Sequence, residues 1–107
     1  MEKSVLTPEQ RLWRAVFPRR DIIPRLDGGR VRQILDTLSE RERKVLRLRF
    51  GFEGGPWSLR DVARVLPRAE GGVGVKRERV WQMEKEALKA LRRPRLRKAW
   101  REAETRE

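Results

Sequence analysis

The chain has 107 residues, enough for one domain with a modest core, and its 28 Lys and Arg outweigh 16 Asp and Glu by a formal +12. So large an excess points to a polyanionic partner, nucleic acid before anionic lipid; a 41% charged but balanced surface would instead suggest mere solvation. The absence of Cys and His excludes disulfides, thiol nucleophiles, imidazole bases and the usual zinc sites, so no cofactor is expected.

Thr7-Pro8-Glu9-Gln10 predicts a helix start, with Thr7 as cap, Pro8 in the first position and Gln10 completing a capping box. Leu12, Trp13, Val16 and Phe17 give that helix one apolar face, better suited to core packing than to a partner, and Pro18 limits it. Residues 18–29 read as a connector, with Pro24 and Asp27-Gly28-Gly29 breaking any regular element. From Arg30 a helical period returns through Val31, Ile34, Leu35 and Leu38. Ser39 and Glu42 form a second capping box, Val45, Leu46, Leu48 and Phe50 supply the apolar positions, and Gly51 suits a left-handed C-terminus.

After the loop from Phe52 to Trp57, Ser58 caps a further helix with Asp61 in its first turn. Leu59, Val62, Val65 and Leu66 are its expected buried face, Pro67 ends it, and a glycine-rich stretch runs to Gly74. The last long helix is expected from about Lys76 to Arg92, apolar at Val80, Met83, Ala87, Leu88 and Leu91, with a basic extension after Pro94 that contains Trp100. No strand is expected and no apolar run reaches the length of a membrane span. Met1-Glu2-Lys3-Ser4 lacks a signal-peptide pattern. The class is all-α, a small helical cluster, soluble and cytoplasmic.

Two capped helices joined by a glycine-containing connection, the second basic and amphipathic, outline a helix-turn-helix, whose second helix enters the major groove of DNA. Its first exposed residues are Lys76, Arg77, Glu78, Arg79, Trp81 and Gln82. Arg reads guanine, Gln reads adenine, and Glu accepts from the cytosine amino group. Any basic surface helix carries such residues, so spacing alone leaves both readings open.

Three ordered stretches then resemble region 4 of the sigma-70 family of bacterial sigma factors. Asp36-Thr37-Leu38-Ser39-Glu40-Arg41-Glu42-Arg43-Lys44-Val45-Leu46-Arg47-Leu48-Arg49-Phe50-Gly51 is similar to its start. Ser58-Leu59-Arg60-Asp61-Val62-Ala63 is similar to the first helix of its helix-turn-helix. Val75-Lys76-Arg77-Glu78-Arg79-Val80-Trp81-Gln82-Met83-Glu84, with Ala87-Leu88 and Leu91-Arg92, resembles its recognition helix. The resemblance covers residues 30–101, leaving 1–29 as an N-terminal helix and connector and 102–107 as a tail.

The resemblance implies that Arg41 and Arg49 contact the DNA backbone and that Ser58 and Leu59 begin a helix that meets a phosphate. It places Arg77, Glu78 and Gln82 over the −35 promoter element. The helices from Leu38 to Phe50 match the surface that grips the flap of the RNA polymerase β subunit; for Leu38, Val45 and Leu48, burial in the core is the competing role. Trp81 stands where the family commonly has Arg, and Lys76 where it has a capping Thr. Trp81 forgoes an Arg–guanine pair worth about 1–3 kcal/mol but can pack on a thymine methyl or a neighbouring helix. The turn is enlarged by about seven residues, Pro67 to Val73. Lengthening the connection from roughly three to roughly ten residues costs only about 1 kcal/mol in closure entropy, yet the fixed angle between the helices is expected to suffer.

Nothing in the chain resembles the sigma region that melts the −10 element. The reading is a partial sigma or a modulator of sigma that associates with core polymerase, with a second protein supplying the remaining regions as one form of it. The alternative is an autonomous helix-turn-helix repressor or activator. Catalysis is not expected: Glu84 with Glu86, and Glu102 with Glu104, are interleaved with Lys and Arg as salt-bridging residues are.

Overall fold

Most helices begin where the sequence supplies a capping side chain. A computed structural model describes residues 5–105, so Met1–Ser4 and the last two residues of the tail lie outside the described residues. Thr7 Oγ1 accepts from the Gln10 N–H and Gln10 Oε1 from the Thr7 N–H, both at 3.1 Å, which starts α1 (Pro8–Val16). Ser39 and Glu42 repeat that box at α3 (Glu40–Arg49), and Ser58 Oγ accepts from the Asp61 N–H at 3.1 Å to start α4 (Leu59–Val65). Satisfying these first-turn donors is worth about 1 kcal/mol per helix. Gly51, at φ +84°, ends α3 in the left-handed conformation expected of it.

Three local readings need correction. Asp27-Gly28-Gly29 does not break the chain: Asp27 Oδ1 accepts from the Arg30 N–H at 2.8 Å, and the two glycines form the first turn of α2 (Gly28–Leu35). The cap outweighs the low propensity of glycine at a helix end. A pair of strands exists, β1 (Arg25–Leu26) against β2 (Glu104–Thr105), antiparallel, with Asp27 N–H donating to the Ala103 carbonyl at 2.8 Å. On α4 it is Ala63 that is buried, while Val65 is 37% exposed.

The long helix α5 (Arg77–Leu91) is followed by a 3-10 turn (Pro94–Leu96) and α6 (Arg97–Ala103). Two apolar clusters share α3 and α5. The larger gathers Leu12, Trp13 and Val16 of α1 with α2, α6, Leu46, Ala87 and Leu91. The smaller joins Val45 and Leu48 of α3, Val62, Ala63 and Leu66, and Val80 and Met83 of α5. Phe17 bridges Trp13 and Trp100 with ring centroids 5.5 Å away on each side, and Trp100 Nε1 donates to the Leu91 carbonyl at 2.9 Å. Trp13 is therefore core, as expected. Each fully buried side chain of α1 contributes about 1.5–3 kcal/mol, so three of them rival the net stability of a domain this size.

Candidate nucleic-acid interface

The pair α4 and α5 owes its geometry to the smaller cluster, which fills the space between them. The enlarged turn does not intrude there. Pro67 pairs with Val73, the Arg68 N–H donates to the Gly72 carbonyl at 2.9 Å, and Gly71 and Gly72 take φ of +109° and +80° to turn the chain. At its base Gly74 N–H bonds the Leu66 carbonyl at 2.9 Å and Val75 N–H the Ala63 carbonyl at 2.8 Å. A self-bonded hairpin closed at its base leaves the helices in direct contact. The enlarged turn thus stands outside the contact between the two helices.

The outward face of α5 follows from its period. Val80, Met83, Ala87 and Leu91 are buried, which turns Arg77, Glu78, Trp81, Gln82 and Lys85 to solvent. Lys76, the N-cap, and Arg79 are exposed too. Lys76 makes no side-chain cap hydrogen bond, and the Arg79 N–H donates instead to the Lys76 carbonyl at 3.0 Å. Trp81 is 48% exposed with Lys85 Nζ 4.2 Å from its ring centroid, so the indole stands on the surface rather than against another helix.

The residues placed behind this face differ in what they can offer. Arg49 is held inside the protein: Nε donates to Glu84 Oε1 at 2.6 Å and Nη1 to the Trp57 carbonyl at 2.8 Å. Arg41 is half-buried, its Nε covered and without a hydrogen-bond partner among the described residues. Ser58 is exposed with Oγ engaged in capping, and Leu59 packs half-buried on the smaller cluster. Leu38, Val45 and Leu48 are 7%, 0% and 4% exposed, so they are core side chains with almost no surface of their own.

Sequence reasoning passed over Arg60 and Arg64. They lie one turn apart on the polar face of α4 and, with Arg77, line an open cleft of about 530 Å³ between α4 and the start of α5, floored by Ala63 and Val75. Their i, i+4 spacing opposite Val62 and Ala63 was the available signal.

A model of sigma-70 region 4 matches residues 34–93, the stretch that holds this helix pair and α3 before it. The chain belongs to the sigma-70 region 4 family. RNA polymerase sigma factor SigA from Listeria monocytogenes, from Listeria innocua and from a Bacillus species are each 48% identical to it over 62 residues. Those matches cover 57% of this chain and 15% of each relative's length.

Region 4 is a helix-turn-helix transcription-factor domain, not an enzyme family. Three of the four acidic residues weighed for catalysis are in ion pairs here: Glu84 with Arg49, Glu102 with Arg30 and Glu104 with Arg20. Among the described residues, no helix is long and apolar enough to cross a membrane.

Proposed function

We propose that this region 4 chain acts in the cytoplasm as a partial sigma or a modulator of sigma. It sits on bacterial RNA polymerase through the β-subunit flap and holds promoter duplex near the −35 element with α5. The observation that carries this reading is the solvent-facing start of α5 inside a sigma-70 region 4 match. Arg77, Glu78 and Gln82 address base edges, and Trp81 offers its ring to a thymine methyl. Lys76, with Arg60, Arg64, Arg41 and Ser58, takes the phosphates that fix register. Leu38, Val45 and Leu48 support the flap-facing surface of α3 from beneath.

The test is co-purification with core polymerase, with and without the β flap. Capture that requires the flap is expected; capture that persists without it refutes the polymerase half. Sequence-specific duplex binding that polymerase leaves unchanged would favour an autonomous repressor or activator instead.

A further inference from the structure

A second basic surface lies at the opposite end of α5 from the recognition face. Arg92 and Arg93 close that helix, Arg97 and Arg101 follow on α6, and Arg20 reaches in from the connector after α1. Together they surround a groove of about 500 Å³ in which Glu104 is the one lining carboxylate. The 15 residues of α5 span about 22 Å, so this groove is a full helix away from Arg77.

Few of these charges are used by the fold. Arg20 pairs with Glu104 at 3.7 Å, and Arg92 Nη1 donates to the Val16 carbonyl at 3.3 Å. Arg93, Arg97 and Arg101 are exposed and have no carboxylate partner among the described residues. One or two cations suit the negative end of a helix dipole, but five guanidinium groups around one concavity exceed that need and repel one another.

We propose that this arginine basin is a second, sequence-blind site for nucleic-acid phosphates. Arg97 and Arg101, one turn apart on α6, hold their Cβ atoms about 5–6 Å from each other, close to the step between successive phosphates of one strand. The floor, Leu91 and Trp100, is 0% and 3% exposed, and none of the large exposed apolar side chains lines the groove. Phe17 is the one half-buried apolar side chain in the lining, so the groove offers arginine charge far more than apolar contact, and backbone recognition needs only the charges. The basin engages a different stretch of nucleic acid from the one in contact with α5, which adds length to the bound site without adding base preference. The inference rests on the nucleic-acid half of the function proposed above.

The experiment compares the full chain with Arg97→Gln/Arg101→Gln and with a charge-matched control, Arg14→Gln/Arg32→Gln, two exposed arginines outside the groove. Affinity is measured against salt for a duplex several helical turns long and for one of its single strands. Losing two phosphate contacts lowers the log–log slope by about 1.8 on duplex or about 1.4 on single strand, and the control moves it by less than half as much. A fall on one substrate alone identifies that form as the occupant. A third variant, Arg77→Ala/Gln82→Ala, separates the two readings. If it abolishes sequence preference while the basin variant keeps the wild-type slope on both substrates, the basin inference is overturned and the recognition face stands. If the wild type shows no salt-dependent binding, both fall. If the basin variant loses polymerase capture and keeps its slope, the groove is a protein contact and the inference is likewise overturned.

Discussion

Removing Glu84 should loosen the tie of α5 to α3 and to the loop before α4. Its carboxylate accepts from Arg49 Nε at 2.6 Å, and Arg49 Nη1 reaches the Trp57 carbonyl at 2.8 Å, so one guanidinium ties α5, α3 and the loop before α4 together. The two side chains are 15% and 26% exposed. That places the pair between exposed ion pairs, worth at most about 1 kcal/mol, and fully buried ones, whose disruption costs about 3–5 kcal/mol. A charge-assisted hydrogen bond of this burial contributes about 1.5–3 kcal/mol. Glu84→Ala is therefore expected to cost about 2 kcal/mol, a fall in Tm of roughly 8–16 °C for a domain of this size. Denaturant unfolding of Glu84→Ala, Arg49→Met and the double variant should give a coupling energy of about 1–2 kcal/mol that survives high salt, because a covered pair is weakly screened. A coupling below about 0.5 kcal/mol, or one that vanishes with salt, would refute the reasoning. The same variants bear on Arg49 as a backbone contact. If Arg49→Met lowers the salt slope of DNA binding by about 0.9 and Glu84→Ala does not, Arg49 reaches a phosphate beyond its structural tie.

Trp81→Arg should sharpen base discrimination by about 1–3 kcal/mol in competition binding against single-base variants of a promoter duplex; an unchanged preference would mean that this position faces away from the groove. Ser39→Ala removes a capping box and should lower stability by about 1 kcal/mol in urea unfolding, with Ser58→Ala close behind. Gly51→Ala forces a side chain into φ +84°, with its Cβ 2.5 Å from Arg11 Nη2, and should cost more than the roughly 1–2 kcal/mol of the backbone conformation alone. A cost under about 0.5 kcal/mol would show that Arg11 and the turn relax freely.

What the sequence made legible was whatever is encoded locally. Thr7 with Gln10, Ser39 with Glu42, and Ser58 announce helices because a cap is a contact within three residues, and Gly51 announces an end for the same reason. The apolar period of α5 gave its exposed face, and with it the candidate base-reading residues. Long-range pairing was not legible. The two-residue strands exist only because the connector after α1 meets the segment that follows α6. The resemblance made Arg49 a DNA-backbone contact, and only the fold brings Glu84 and the Trp57 carbonyl to it.

The shared role of α5 explains how a helix with cations at both ends is held firmly in the domain. Its second half is anchored in the larger cluster through Ala87 and Leu91, and its first half in the smaller through Val80 and Met83. Positive charge is then free to collect at both ends, where solvent and the polar face leave room for it. Repulsion among these arginines costs stability that the two clusters must offset. That cost is met twice, at Arg60, Arg64 and Arg77 around one cleft and at Arg92, Arg93, Arg97 and Arg101 around the other. A fold that needed only one phosphate surface could have had a neutral C-terminal end at lower cost, which is the physical ground for assigning the second basin a ligand.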